Sequence, residues 1–263
     1  MVKVTYQQSV VRLRVHFVPI GYEVQRVVEP LVHLRADVAL LLTKSITDRA
    51  SSSLHKIEQL LNEEGIQFQV IELNIWDTSV VIDQVGAVIS SARNNDYFFN
   101  LSTGPKTTTI AGTIAAMLWP IKPYYSMVNY EGKTGLNQAD FPVEGPPLFV
   151  PTFETPGLDK TTLETLEFIV FQPNPISKRE LISSLKSKGA IRARQKVRVT
   201  PQALQAQTDV ILRRLESWGF LAIEGRGKAT KIQATEMGRA GAKMFHHVLY
   251  PRPLPTILSP AER

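Results

Sequence analysis

Residues 97–118 read YFFNLSTGPKTTTIAGTIAAML, and this stretch decides the fold of the first half of the chain. Its aromatic and apolar start, Tyr97 to Leu101, predicts a buried strand. A loop containing Gly104 and Pro105 follows, and Thr107 to Leu118 then predicts a helix. A strand, a loop and a helix in this order are typical of a parallel sheet, in which ligands bind at the carboxyl ends of the strands.

The same alternation of strands and helices continues on both sides of this stretch. Further strands are predicted at residues 11–18, 38–43, 70–73 and 124–128, and further helices at residues 51–64 and 80–92. The run from Val38 to Leu42 is continuously apolar, as expected of a strand that helices cover on both faces. The first half therefore predicts an α/β fold, a Rossmann-like parallel sheet wrapped by helices.

A proline-rich segment, residues 141–157, separates this half from a second pattern. Beyond it the sequence predicts three helices, the second opened by the capping box Ser177 to Glu180 and the third by Thr200 and Pro201. A basic β-hairpin and a last helix follow, and this order predicts a winged helix-turn-helix domain. We place a Rossmann-like domain at residues 1–150, a linker at 151–159, the winged domain at 160–250 and a tail at 251–263.

The composition excludes several classes of site and indicates where the chain could bind nucleic acid. The chain has no cysteine, which excludes disulfides, thiolate zinc sites and iron–sulfur clusters. No apolar run approaches the ~20 residues that span a bilayer, so we expect a cytoplasmic protein without a membrane partner. Residues 1–150 carry 12 Lys and Arg against 14 Asp and Glu, whereas residues 151–263 carry 18 against 10. A basic excess confined to the second half is typical of a domain that binds nucleic acid.

In a winged domain, the helix at residues 202–217 would enter the major groove of double-stranded DNA. Polar side chains in its early turns are expected to meet base edges. The cations farther along the chain are expected to meet phosphates or, for those at the hairpin tip, the minor groove. The first group comprises Gln202, Gln205, Gln207 and Thr208, and the second comprises Arg213, Arg214, Arg226 and Lys228, the last two at the hairpin tip. The alternative is a solvated basic surface on a domain that only mediates protein contacts.

The loop after Leu101 has the features of an anion cradle. Backbone N–H groups, hydroxyls and Lys106 converge there at a helix N-terminus. The loop is no Walker A motif, because Lys106 follows Pro105 and the required earlier glycine is absent. Residues 19–23 lack the three glycines of a dinucleotide fingerprint, so no nicotinamide or ATP cofactor is expected. The alternative is a capped helix whose threonines hold no ligand.

Residues 16–30, HFVPIGYEVQRVVEP, and residues 100–106, NLSTGPK, together resemble CRISPR-associated Rossmann-fold (CARF) regulators with a C-terminal winged helix, common in archaea. The resemblance implies a homodimer that binds cyclic oligoadenylate, most often the cyclic tetramer, across its two-fold axis and binds promoter DNA. The implied ligand loops are Pro19, Ile20, Gly21, Tyr22 and Glu23, and Ser102, Thr103, Gly104, Pro105 and Lys106. The chain is thus expected to regulate transcription in antiviral defence, with a regulatory ligand and no cofactor.

No catalytic residue and no metal site are predicted. The five histidines are scattered without a zinc motif, and no nucleophile elbow is present. His16 is expected to pack inside the sheet. Two alternatives to the regulator stay open. One is a ring nuclease that cleaves the cyclic ligand with help from Thr103 and Lys106, and the other is a regulator outside CRISPR systems that senses another nucleotide.

Overall fold

A computed structural model describes residues 12–128, 141–152, 159–187, 200–225 and 230–250. The chain divides into two compact units between Phe153 and Glu154. Across the described ranges, no helix combines the length and the apolar character needed to cross a membrane.

The first unit is built on a six-stranded sheet. Its elements are β1 (Arg14–Pro19), α1 (Gln25–His33), β2 (Val38–Thr43), α2 (Ser51–Glu63), β3 (Gln67–Glu72), α3 (Thr78–Ser91), β4 (Asp96–Asn100), α4 (Lys106–Leu118), β5 (Ile121–Tyr125) and β6 (Leu148–Phe149). The strand order is β3-β2-β1-β4-β5-β6. Strands β1 to β5 pair in parallel and β6 pairs antiparallel with β5. The predicted α/β fold with a parallel sheet is confirmed.

The centre of this sheet is apolar on both faces. All six residues of β2 are buried, as its uninterrupted apolar sequence predicts. On one face, Leu41 packs in a core cluster with Val27 of α1 and Ile57 of α2, and none of the three is exposed. Strand order reverses between β1 and β4, so the chain leaves these two neighbouring strands in opposite directions. Such a point opens a crevice at the carboxyl ends of the two strands.

Strand β1 also buries a histidine. As predicted, His16 is packed: its side chain is fully buried, its ring stacks on Phe98 with centroids 4.4 Å apart, and its Nδ1 lies 3.3 Å from the Tyr124 hydroxyl. Burial, with a smaller contribution from the Arg14 charge, lowers the pKa of His16 from its ordinary value of 6.5 to about 3. In this state the imidazole is neutral throughout the physiological range.

We predict that acidification destabilises the protein through His16. Between those two pKa values the unfolded chain binds a proton that the folded chain does not, so stability falls as pH falls below the unfolded pKa. From about pH 7.5 to about pH 5 the loss should reach roughly 2 kcal/mol. Denaturant unfolding at both pH values measures it. His16→Phe keeps a ring on Phe98 but cannot titrate, and an equal acid loss in that variant would contradict the assignment.

The second unit contains α5 (Lys160–Val170), β7 (Ile176–Ser177), α6 (Lys178–Ser187), α7 (Pro201–Ser217), β8 (Leu221–Glu224), β9 (Lys231–Ala234) and α8 (Glu236–Leu249). Strands β7, β9 and β8 form a small antiparallel sheet in that order. The helices pack on it through a core that includes the fully buried Leu166, Leu181, Leu215 and Ile232.

Both predicted helix caps of this unit are confirmed. The Ser177 N–H donates to Glu180 Oε2 at 2.7 Å, and the Glu180 N–H donates to Ser177 Oγ at 3.2 Å, which is a complete capping box. The Ala203 N–H donates to Thr200 Oγ1 at 3.2 Å. The structure adds β7, which the sequence does not predict because two residues are too short for a periodic pattern.

Candidate functional site

Two loops meet backbone to backbone in the crevice between β1 and β4. A methyl group placed on Gly21 would lie 2.9 Å from the Gly104 nitrogen, and one placed on Gly104 would lie 2.6 Å from Pro19 Cβ. Gly104 also has a φ of +77°, a conformation that favours glycine. The Thr103 hydroxyl donates to the Pro19 carbonyl at 2.6 Å and joins the loops a second time. The predicted ligand loops, 19–23 and 102–106, therefore form one structure.

A buried ring of hydrogen bonds holds this structure from below. Asn100 donates from Nδ2 to the Arg26 carbonyl at 2.9 Å and accepts the Ser102 N–H at 2.8 Å. Ser102 Oγ accepts the Ser126 N–H at 2.7 Å. The Arg26 guanidinium closes the ring by donating to the Ser126 carbonyl from Nε at 3.1 Å and from Nη2 at 2.9 Å.

Pro30 explains why this ring exists. Pro30 lies inside α1 and has no N–H to give to the carbonyl four residues earlier, which belongs to Arg26. The Asn100 amide satisfies that carbonyl instead. Pro30 would weaken an isolated helix, but here the carbonyl that it leaves free binds Asn100 and fixes the end of β4 to α1. This contact also fixes the position of the loop that follows β4.

The hydrogen bonds below the loops change the role of three residues that were predicted to hold a ligand. Ser102 and Thr103 are 8% and 2% exposed, and their hydroxyls are engaged inside the protein. Pro19 is buried beneath Gly104. We correct the prediction for these three side chains: they hold the loops in place and do not line the crevice. The two hydroxyls form hydrogen bonds with backbone groups at the junction, and the Pro19 ring packs against Gly104.

A cleft of about 570 Å³ opens above the two loops. Of the ten residues predicted to hold a ligand, it is lined by Ile20, Gly21, Tyr22, Glu23, Gly104 and Pro105. It is also lined by six residues that no sequence motif indicates, namely Lys44, Asp48, Arg49, Ala50, Ile75 and Trp76. The available signal for this second group is position, since these residues follow β2 and β3, whose carboxyl ends reach the same edge of the sheet.

The lining combines charged side chains of both signs, Lys44 and Arg49 beside Glu23 and Asp48, with exposed aromatic rings. Lys44 and Arg49 are exposed, Tyr22 is 50% exposed and Trp76 is 59% exposed. Cations bind anionic groups, and exposed aromatic faces stack on planar rings. The arrangement is suited to a ligand that has both phosphates and bases.

Lys106 is placed differently from the expectation that it lies in the cleft. It is the first residue of α4, it is exposed, and it is absent from the cleft lining. The N-cap of α4 is Pro105, with no side-chain cap. The alternative of a helix whose threonines hold no ligand stays open. The Thr108 N–H already donates to the Pro105 carbonyl at 3.0 Å, which leaves the N–H groups of Lys106 and Thr107 for an anion, with the Lys106 ammonium beside them.

Two observations on the described residues concern metal-ligating side chains. Within the ranges given above, no three or more His, Asp or Glu side chains group in a way that could hold a metal ion. His16 is fully buried, and His246 contacts Glu167 at 3.2 Å in the second unit.

The predicted DNA contacts divide into four groups. Gln202, Gln205, Gln207 and Arg213 are exposed on α7. Thr208 is fully buried and donates to the Leu204 carbonyl at 2.9 Å, so the prediction that it meets bases is wrong. Arg214 donates to Asp159 at 2.9 Å and is engaged inside the unit rather than free for phosphate. Arg226 and Lys228 lie outside the described residues.

Three comparisons place these features beside known proteins. Residues 14–130 match the family described as HFX_2341_N:-like, N-terminal. The uncharacterized protein MJ1513 of Methanocaldococcus jannaschii is 26% identical over 139 residues, covering 48% of this chain and 42% of that protein. The chain thus spans less than half the length of this curated relative.

Solved structures with some likeness come from three bacteria. Csm6 of Enterococcus italicus, bound to cyclic hexa-2'-fluoro-hexa-dAMP, has a TM-score of 0.39 at 10% identity, covering 80% of this chain and 56% of its own. Can2 of Sulfobacillus thermosulfidooxidans, in complex with cyclic tetra-adenylate, has a TM-score of 0.39 at 10% identity; the match covers 89% of this chain and 65% of Can2. Protein VC1899 of Vibrio cholerae has a TM-score of 0.34 at 14% identity; the match covers 88% of this chain and 64% of VC1899. The chain covers less than two thirds of each.

Proposed function

We propose that this protein is a ligand-gated transcription regulator of the CARF type, which senses a cyclic oligoadenylate in its first unit and binds promoter DNA through its second. The observation that carries the proposal is the cleft over the joined loops 19–23 and 102–106. It lies at the point where strand order reverses, which is where sheets of this kind bind nucleotides.

The chemistry of the cleft supports a nucleotide ligand. Lys44 and Arg49 supply charge for phosphates, and the uncapped start of α4 supplies N–H groups. Tyr22 and Trp76 supply rings for bases. The close contact of Gly21 with Gly104 lets a ligand approach the loop backbones without a side chain in between.

A cyclic ligand fits a homodimer. A ring with two-fold symmetry presents equivalent phosphates to equivalent loops, so each subunit contributes one copy of the cleft to a shared site. We propose that the cyclic tetramer is the natural ring size, as the resemblance to CARF regulators implies. One ring should then bind per two chains.

The second unit supports the DNA-binding half of the proposal. Its three helices, two-stranded hairpin and closing helix have the order of a winged helix-turn-helix domain. In that arrangement α7 is the recognition helix, and its exposed Gln202, Gln205 and Gln207 would face base edges. The basic excess of the second half would supply the phosphate contacts.

We propose binding without cleavage. A ring nuclease would need a group that activates the ribose hydroxyl of the ligand. Of the two residues that could assist cleavage, Thr103 and Lys106, Thr103 is almost fully buried and donates to the Pro19 carbonyl, which supports a sensor over a nuclease.

A panel of cyclic di-, tetra- and hexa-adenylate in a thermal-shift assay tests the ligand. We expect the tetramer to raise the melting temperature most. Chromatography of the recovered nucleotide should then show an intact ring, and a linear product would favour the nuclease. A panel without any shift would favour a regulator that senses another nucleotide.

Promoter binding is tested separately, by selecting duplexes from a random pool with the full chain at low salt. Retained duplexes should bind more weakly as salt rises, because counterions released from phosphates drive part of the affinity. Saturating ligand should change the affinity for the selected duplex, and the duplex should change the ligand affinity by the same factor.

We predict that Lys106→Ala weakens ligand binding without affecting the fold. The side chain is exposed at the start of α4, so its loss removes a charge near the anion and no packing. One lost charged hydrogen bond of roughly 1.5–3 kcal/mol corresponds to roughly a 10- to 150-fold weaker Kd. Calorimetry measures the change. Lys186→Ala, at an exposed lysine of α6, is the control, and equal affinity of both variants would remove Lys106 from the site.

A further inference from the structure

The far side of the cleft carries an aromatic residue that packing does not explain. Trp76 follows β3, lines the cleft and is 59% exposed. A tryptophan in that state leaves more than half of its surface in contact with solvent, so core packing does not account for that part of the ring. Tyr22 lines the same cleft from the loop after β1 and is 50% exposed.

The backbone around Trp76 is anchored on both sides. The Thr107 hydroxyl in the first turn of α4 donates to the Ile75 carbonyl at 3.0 Å. Asp77 caps α3 by accepting the Ser79 N–H at 2.9 Å. The Trp76 N–H itself donates to Asn74 Oδ1 at 3.3 Å. The ring is thus exposed on a backbone that the two helix starts hold in place.

Tyr22 has a corresponding anchor. The Ser53 hydroxyl of α2 donates to the Tyr22 carbonyl at 3.1 Å, and Ser53 itself is buried. Two aromatic residues exposed in one cleft, both on anchored backbones, are preorganised for contact with a flat ring. Arg49 and Lys44 line the same cleft and supply positive charge for the phosphate of a nucleotide whose base is that flat ring.

We infer that Trp76 and Tyr22 form a stacking site for the base of the ligand, with Trp76 as the residue that favours purine over pyrimidine. This inference rests on the proposed function and deepens it, because it assigns base selection to the loop after β3. A purine has the larger face and gains more from stacking on an indole than a pyrimidine does. Arg49 and Lys44 hold the adjoining phosphate.

Calorimetry and tryptophan fluorescence of the full chain test the inference with cyclic tetra-adenylate. Stacking on an aromatic side chain contributes roughly 1–3 kcal/mol per base, so Trp76→Ala should raise Kd between about 5-fold and about 150-fold. Trp76→Phe should retain most of the affinity. Ligand should quench the fluorescence of the native protein, and Trp76→Phe should remove that quenching. Phe171→Ala, at a residue 75% exposed in the second unit, should bind like the native protein.

The outcomes separate this inference from the proposed function. Binding of cyclic tetra-adenylate with equal affinity in Trp76→Ala, and with unchanged quenching in Trp76→Phe, would overturn the stacking site and leave the sensor intact. Absence of binding in the native protein would defeat the sensor. AMP and UMP at millimolar concentration then decide the stacking site: quenching by AMP above that by UMP, lost in Trp76→Phe, supports it, and its absence overturns it.

Discussion

Replacement of Asn100 by leucine is expected to be among the most damaging single changes in the first unit. Asn100 is fully buried, donates to the Arg26 carbonyl and accepts the Ser102 N–H. Leucine has a similar size and satisfies neither group. Each unsatisfied buried backbone group costs about 1–3 kcal/mol, so the free energy of unfolding should fall by roughly 2–6 kcal/mol.

Denaturant unfolding measures this change, and Asn62→Leu is its matched control because Asn62 is exposed on α2. The control should lie within about 0.5 kcal/mol of the native protein. Asn100→Asp, which keeps an acceptor and loses the donor, should also destabilise the fold. Native stability in Asn100→Leu would show that the ring of hydrogen bonds around Arg26 does not hold the loops.

The second large effect is expected from Gly104→Ala. An added methyl group would lie 2.6 Å from Pro19 Cβ and 3.0 Å from the Thr108 hydroxyl, at a φ of +77°. The conformation costs about 1–2 kcal/mol for a residue with a side chain, and overpacking adds about 1–3 kcal/mol. The sum is roughly 2–5 kcal/mol of lost stability. Since the two loops must also separate, ligand binding should disappear.

Gly65→Ala is the control that separates the effect of the close contact at Gly104 from the effect of a positive φ. Gly65 has a φ of +69°, and no atom lies within 4 Å of the position that its methyl group would occupy. The control should therefore lose only the conformational part, about 1–2 kcal/mol. Thermal unfolding and calorimetry with cyclic tetra-adenylate compare the two variants. Equal stability losses would argue against close contact between the loops.

The fold was predictable where local patterns decide it. The apolar run of β2 and the capping signals at Ser177 and Thr200 depend on neighbours in sequence, and the structure confirms all three. Helix α1 was not predicted because Pro30 interrupts its pattern, and its compensating partner, Asn100, is 74 residues away from Arg26. No local pattern contains such a contact.

The candidate site follows the same division. The loops that contain Gly21 and Gly104 carry recognisable motifs, and the structure brings them together. Arg49 and Trp76 have no motif, and they reach the cleft only because β2 and β3 end at the same edge of the sheet. Thr208 shows the opposite error, since its polar character indicated a surface contact and its position on α7 places it in the core. The position of each of these residues depends on its neighbours in three dimensions, and a single sequence does not show those neighbours.

The most direct test of the central claim is a calorimetric titration of the full chain with cyclic tetra-adenylate. We expect saturable binding with one ring per two chains, because two copies of the cleft share a ligand of two-fold symmetry. We also expect Gly104→Ala to abolish the heat of binding. An absence of heat in the native protein, or one ring bound per chain with affinity unchanged in Gly104→Ala, would contradict the shared site.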